Sequence, residues 1–194
     1  MTSKTQSSRE SANHVHITGP TYLTILRMLL SVVFMVFALL PYHWASIVAL
    51  VIFIAAAITD KIDGIWARKS KKVTDLGTFL DPLADKMLVD LAFLVLVYIN
   101  MAPIWVFAII IVRDLAVDGM RMMAARNKVT IAASFLGKLK TTVQMTALIT
   151  LLAAIVLQNN VIHILGLVSL YLALVLTIIS GVGYLTKGYR KFIK

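Results

Sequence analysis

Six apolar stretches, each about 20 residues long, divide most of the chain and constrain its fold more than any other feature. An α-helix rises about 1.5 Å per residue, so a stretch of this length matches the hydrocarbon core of a bilayer, about 30 Å thick. The composition agrees, because 60% of the 194 residues are hydrophobic and only 14% are charged, an apolar share that soluble domains rarely reach. We therefore predict an all-α, six-helix, polytopic membrane protein with helices near residues 21–40, 44–67, 80–98, 103–126, 136–157 and 161–186.

The apolar stretches begin only after a polar N-terminal segment. Residues 1–18 offer no apolar face to bury, so we expect a separate cytoplasmic segment there, no cleavable signal peptide, and a single domain over residues 19–194.

Three prolines stand at expected helix starts and a fourth follows a helix end: Pro20, Pro82, Pro103 and Pro41. The chain has no cysteine, which excludes disulfides and thiolate chemistry.

Lysine and arginine are distributed unevenly among the connections. The connections at 41–43, 100–103 and 158–163 contain none, whereas those near 68–78 and 126–138, together with both chain ends, contain most of them. Cytoplasmic loops of membrane proteins carry an excess of these residues, so both termini and the two basic connections are predicted to be cytoplasmic. The net charge of +10 suits such a membrane face and shows no pattern for reading nucleic acid.

Four aspartates lie where helices 2 and 3 approach the cytoplasm: Asp60, Asp63, Asp81 and Asp85. Spacings of three and four residues put each pair on one face of its helix, and the short connection brings the pairs together. Such carboxylates repel one another unless cations bridge them, and Mg²⁺ or Mn²⁺ suits an all-oxygen site. We predict a metal site there, the alternative being surface aspartates that pair with nearby lysines.

Helix 4 carries four charged residues within an apolar stretch: Arg113, Asp114, Asp118 and Arg121. Arginine inside a transmembrane helix is costly and usually faces a polar cavity. Two interpretations stay open, a ladder of ion pairs on the helix or a pocket for an anionic group of a substrate. Lys138 and Lys140 add charge at the start of helix 5, where we expect Lys140 to extend towards lipid headgroups.

The residues from Asp60 to Asp85 follow the pattern D-x-x-D-G-x-x-A-R-x8-G-x3-D-x3-D, which resembles the signature of the CDP-alcohol phosphatidyltransferases. The resemblance implies a homodimeric, six-helix membrane enzyme that moves a phosphatidyl or similar group from a CDP-linked donor to an alcohol and releases CMP. It implies that Asp60, Asp63, Asp81 and Asp85 hold two divalent ions, Mg²⁺ or Mn²⁺. It also implies that Asp85 is the general base.

Three further motifs resemble the bacterial subfamily that makes phosphatidylglycerophosphate from CDP-diacylglycerol and sn-glycerol 3-phosphate at the cytoplasmic face of the plasma membrane. They are GPTYLTILR in helix 1, R-D-x-x-V-x-G-M-R in helix 4 and G-K-x-K-T-T-x-Q-M in helix 5. The resemblance implies that the acceptor phosphate is bound by Arg113, Arg121 and Lys138. It implies that the CDP donor contacts Thr24, Arg27, Asp60, Gly64, Arg68 and Gly77. Two positions depart from the pattern, Thr21 in place of Asn and Asp118 in place of a small or hydroxyl residue.

Two other functions fit parts of the sequence. A relative with a different acceptor, such as a phosphatidylinositol phosphate or cardiolipin synthase, would share the aspartates, and charge alone does not separate glycerol 3-phosphate from inositol phosphate. A cation or proton transporter would also carry intramembrane carboxylates. A transporter would spread them across the depth of the bilayer, whereas these aspartates cluster at one surface.

Overall fold

The computed structural model of the chain describes residues 19–69, 75–126 and 135–192. All regular structure within these residues is helical: α1 (Gly19–Leu39), α2 (His43–Lys69), α3 (Asp75–Tyr98), α4 (Ile104–Arg126), α5 (Phe135–Leu157) and α6 (Asn160–Phe192). Each apolar stretch forms a helix, so the prediction of an all-α chain with six helices is confirmed. The largest differences are that α3 begins at Asp75 rather than at residue 80, and that α6 continues to Phe192 rather than ending at residue 186.

The early start of α3 changes the meaning of one proline. Pro82 lies inside α3 and not in its first turn, so the prediction that it marks a helix start is wrong. Proline lacks the backbone N–H that would bond to the carbonyl four residues earlier, and α3 continues through Pro82 without that bond. Pro20 and Pro103 stand at the starts of α1 and α4, and Pro41 lies between α1 and α2, as predicted.

Local hydrogen bonds end and start the helices at the short connections. Asn100 adopts a positive φ of 59°, a left-handed conformation that asparagine tolerates well. The Met101 N–H donates to the Leu96 carbonyl at 2.8 Å and closes the end of α3. At the start of α6, the Asn159 Oδ1 atom accepts the Val161 N–H at 2.8 Å as an N-cap. These caps make the chain reverse within a few residues.

The three connections that lack lysine and arginine meet at one end of the bundle. They line a cavity of about 790 Å³, to which residues 38–43, Ile99, Met101 and residues 158–160 contribute. Because the helices alternate in direction, the starts of α1, α3 and α5 and the ends of α2, α4 and α6 lie at the opposite end. Lys138 and Lys140 belong to this end of α5.

The core is formed by large apolar side chains where the helices cross. Phe34 of α1 packs against Phe53 of α2, with ring centroids 5.3 Å apart, and both are fully buried. At Gly166 of α6 an added Cβ atom would lie 2.7 Å from the Leu151 side chain of α5, so the missing side chain lets these two helices approach closely. This packing sets the rotation of α5 and α6, which decides which polar residues point inward.

The outward surface of the bundle is apolar. Six examples, one from each helix, are between about half and two thirds exposed: Leu29, Val51, Leu94, Val112, Leu157 and Val168. Among the described residues, α5 and the segment Asn160–Tyr184 of α6 are long and apolar enough to cross a membrane. Monomeric soluble proteins rarely expose so much apolar surface, so this exterior is suited to contact with lipid.

Candidate functional site

The four aspartates of the predicted metal site lie on two contacting helices. Asp60 and Asp63 belong to the second half of α2, and Asp81 and Asp85 to the first half of α3. Their backbone is helical, so each pair shares a helix face by its spacing. The side chains themselves lie outside the described residues, and the metal site stays a prediction.

The predicted donor-binding residues are divided among α1, α2 and α3. Gly64, Arg68 and Gly77 are helical, and the structure describes nothing further of them. Thr24 and Arg27 of α1 are buried, with only 2% and 4% of their surfaces exposed. The helices that α1 contacts are α2 and α3, so this buried polar face of α1 is directed towards the helices that carry the aspartates.

A cavity of about 280 Å³ lies between α3, α4, α5 and α6, at the end of the bundle opposite the three connections that lack lysine and arginine. Six charged residues line it: Lys86, Arg113, Asp114, Asp118, Lys138 and Lys140. Four of these are cations and two are carboxylates, so the described lining carries a net charge of +2. A cavity of this size and charge is suited to a small anion.

A hydrogen-bond network centred on Asp114 connects three helices in the wall of this cavity. Asp114 of α4 accepts a hydrogen bond from Arg113 Nη1 at 2.9 Å and two from Lys140 Nζ of α5, at 2.6 and 2.8 Å. Arg113 Nη2 also donates to Ser180 Oγ of α6 at 2.7 Å. Two of the guanidinium nitrogens of Arg113 are therefore held by protein groups before any ligand binds.

The structure changes the role of one of the two lysines at the start of α5. Lys140 is only 3% exposed and pairs with Asp114, so the prediction that it extends to lipid headgroups is wrong. Lys138 is exposed and lines the cavity. Residues two positions apart in a helix, such as Lys138 and Lys140, point about 200° apart around the helix axis. The rotation of α5 that directs Lys140 to Asp114 therefore directs Lys138 away from Asp114.

Each described carboxylate of α4 pairs with a lysine of another helix, and Asp114 pairs with Arg113 of α4 as well. Asp118 forms an ion pair with Lys86 of α3. The side chain of Arg121 lies outside the described residues. Sequence reasoning missed Lys86 and Ser180 as members of the site. Two features of the sequence could have indicated these residues. Lys86 directly follows Asp85, and Ser180 is a polar residue within the apolar helix α6.

A glycine of α6 makes room for Arg113. A Cβ atom added at Gly181 would lie 2.9 Å from Arg113 Cγ and 3.1 Å from its Nε. We expect Gly181→Ala to lower the free energy of unfolding by about 1–3 kcal/mol, because Arg113 must leave its position between Asp114 and Ser180. Denaturation of the purified protein in detergent measures this change.

The matched control is two residues further along α6. A Cβ atom added at Gly183 meets nothing within 4 Å, so Gly183→Ala should be neutral or stabilise the protein by up to about 1 kcal/mol through the unfolded chain. Equal stability of the Gly181→Ala and Gly183→Ala variants would contradict the position of Arg113 described above.

Comparison with known proteins identifies the family. Residues 17–179 match the sequence model of the CDP-alcohol phosphatidyltransferases. The chain is 36% identical over 187 residues to a Bacillus subtilis protein named CDP-diacylglycerol–glycerol-3-phosphate 3-phosphatidyltransferase, covering 88% of this chain and 95% of the relative. Proteins of the same name from Sodalis glossinidius and Salmonella typhimurium are 39% and 40% identical, each covering 86% of this chain and 92% of the relative. The chain therefore belongs to the CDP-alcohol phosphatidyltransferase family.

Proposed function

We propose that this protein transfers the phosphatidyl group of CDP-diacylglycerol to sn-glycerol 3-phosphate, giving phosphatidylglycerophosphate and CMP. The relatives named for this reaction support the donor and the acceptor. The observation that carries the choice of a phosphorylated acceptor is the net charge of +2 in the described lining of the cavity among α3, α4, α5 and α6. A phosphate monoester carries close to two negative charges near neutral pH, so glycerol 3-phosphate would balance this lining.

The acceptor phosphate is assigned to Arg113, Arg121 and Lys138. Two of these residues line the cavity, Arg113 in a fixed position and Lys138 with an exposed side chain. A guanidinium held in one geometry loses little entropy when it binds a phosphate oxygen, and charge-assisted hydrogen bonds are among the stronger ones. Asp114 and Ser180 would therefore prepare Arg113 for its ligand.

We assign Asp60, Asp63, Asp81 and Asp85 to a site for two ions of Mg²⁺ or Mn²⁺. The donor set fits, because carboxylate oxygens are the ligands that these ions prefer and the pairs lie on contacting helices. Such ions, when bound, neutralise negative charge on a diphosphate and its leaving group. The CDP part of the donor is assigned to Thr24, Arg27, Asp60, Gly64, Arg68 and Gly77.

The reaction itself needs one proton transfer and one substitution at phosphorus. Asp85 takes the proton of the acceptor hydroxyl. The hydroxyl oxygen forms a bond to the phosphorus that carries diacylglycerol, and the bond from that phosphorus to the oxygen of CMP breaks. CMP leaves with the electron pair. The lipid chains stay in the bilayer throughout, so the reacting groups must meet at its surface.

The same proposal places the protein in the bacterial plasma membrane. All six helices would cross it, with both termini, the segment 1–18 and the active site on the cytoplasmic side. Residues 19–194 would form one domain. Support comes from the apolar exterior and from the gathering of the lysine-free and arginine-free connections at one end. We assign the protein a homodimeric state from its family.

The proposed reaction predicts a specific pattern of CMP release. Purified protein in detergent should release CMP from CDP-diacylglycerol only when glycerol 3-phosphate and Mg²⁺ or Mn²⁺ are both present, and chelation with EDTA should stop the release. The other acceptors to compare are inositol, inositol phosphate, serine and phosphatidylglycerol. Release with inositol phosphate or phosphatidylglycerol instead would keep the aspartate site and refute the assigned acceptor.

A further inference from the structure

An ion pair between α3 and α4 lies at the open part of the cavity. Lys86 and Asp118 contact each other there, and their side chains are 39% and 34% exposed. The other two charged contacts of the cavity are more buried, since the side chains of Lys140 and Arg113 beside Asp114 are only 4% and 15% exposed. The described lining thus contains a buried cluster around Asp114 and one pair within reach of water.

The exposed pair is suited to exchange. Surface ion pairs contribute only about 0–1 kcal/mol to stability, so little is lost when the carboxylate is replaced by another anion. A phosphate dianion brings more charge and more acceptor oxygens than one carboxylate. Asp118 also occupies the position where the sequence pattern leads us to expect a small or hydroxyl residue, so the carboxylate is an addition in this chain.

We propose that Lys86 is a further acceptor-binding residue, and that Asp118 is its internal counter-ion, which the phosphate of the acceptor displaces. This inference rests on the proposed function, because it concerns the same acceptor cavity. The ammonium group of Lys86 moves from the carboxylate to the phosphate when the acceptor binds. An uncharged alcohol has no group that replaces the carboxylate, so the pair selects phosphorylated acceptors.

The position of Lys86 in α3 also connects the two halves of the site. Lys86 directly follows Asp85, the proposed base, and consecutive helical residues are about 100° apart around the axis. A phosphate held by Lys86 therefore lies beside the sector of α3 that carries Asp85. Lys86 would bind one end of the acceptor, while the hydroxyl at its other end is available to the base.

The test compares charge-removing and charge-keeping variants in the full-length protein. We expect Lys86→Gln to raise the apparent KM for glycerol 3-phosphate at least about tenfold, the loss of one charge-assisted hydrogen bond, with little change in the KM for CDP-diacylglycerol. Lys86→Arg should restore most of the affinity. Asp118→Asn should lower the KM for glycerol 3-phosphate, because the competing carboxylate is gone. These opposite directions are the signature, since a merely structural pair would be damaged in the same way from either side.

A second measurement separates this inference from the proposed function. Inorganic phosphate should raise the thermal midpoint of the wild type, because a ligand that binds the folded state stabilises it. Lys86→Gln should need more phosphate for the same rise and Asp118→Asn less. Wild-type turnover with an unchanged KM in Lys86→Gln overturns the inference and leaves the proposed function standing. If the wild type uses no phosphorylated acceptor, the proposed function fails, and the phosphate titration decides: opposite shifts support the anion site and equal midpoints overturn it.

Discussion

Replacement of Asp85 by asparagine is expected to reduce the rate of CMP release by at least about 10², the usual contribution of a general base. Asparagine keeps the size of the side chain but does not take the proton of the acceptor hydroxyl. The donor is bound by other residues in our assignment, so the affinity for CDP-diacylglycerol should change little. Initial rates with saturating substrates measure the first effect, and stabilisation of the protein by added donor measures the second.

The matched control is the same substitution at the start of the same helix. Asp75 is the first residue of α3 and lies outside the aspartate pattern. Asparagine is also a favourable residue at a helix start, so Asp75→Asn should keep most of the activity. Near-normal turnover of Asp85→Asn would refute the assignment of the base. A loss of turnover that high concentrations of Mg²⁺ or Mn²⁺ restore would indicate that Asp85 acts only as a metal ligand.

The helices could be predicted from the sequence because each apolar stretch is long enough to indicate a helix without any other information. The residues at which the helices begin and end could be predicted less closely, as α3 illustrates. A proline usually indicates the first turn of a helix, but α3 begins seven residues before Pro82, because one missing hydrogen bond does not outweigh the packing of a long helix. The outward apolar surface and the grouping of the short connections followed from the same pattern.

The candidate site could be predicted only where it depends on spacing along one helix. The four aspartates are an example, because helical geometry alone puts Asp60 beside Asp63 and Asp81 near Asp85. The partners of Lys140 and Lys86 are on other helices. The face of α5 that is directed towards Asp114 of α4 depends on how α5 and α6 rotate when they pack, for instance at the close contact of Gly166 with α5. No spacing within one helix contains that information.

Asp114→Ala is expected to lower the free energy of unfolding by about 3–5 kcal/mol, as removal of one member of a buried ion pair does. Asp114 accepts hydrogen bonds from both Arg113 and Lys140, so its loss leaves two cations without this counter-charge. The effect is largest at Lys140, because its side chain is only 4% exposed and Asp114 is the carboxylate that it contacts directly. Unfolding by SDS in mixed micelles measures the change.

The sharper test is the asymmetry between the two partners. Lys140→Met should cost less than Asp114→Ala, because Asp114 then keeps Arg113 and methionine fills the space of the lysine stem. The double variant Asp114→Ala, Lys140→Met should recover part of the loss, since no lysine charge then remains buried. Asp118→Asn is the matched control on the same helix, and its partly exposed pair should change stability by no more than about 1 kcal/mol.

The asymmetry tests whether Asp114 holds two helices against α4 or only one. If Lys140→Met costs as much as Asp114→Ala, then Arg113 does not depend on Asp114, and the carboxylate serves α5 alone. If Asp114→Ala costs more, the same carboxylate neutralises a cation on each side. It then holds α5 in place through Lys140 and fixes Arg113, which Ser180 binds from α6. Activity would follow stability in that case, because Arg113 is also assigned to the acceptor phosphate, and Asp114→Ala should raise the KM for glycerol 3-phosphate even where the protein is still folded.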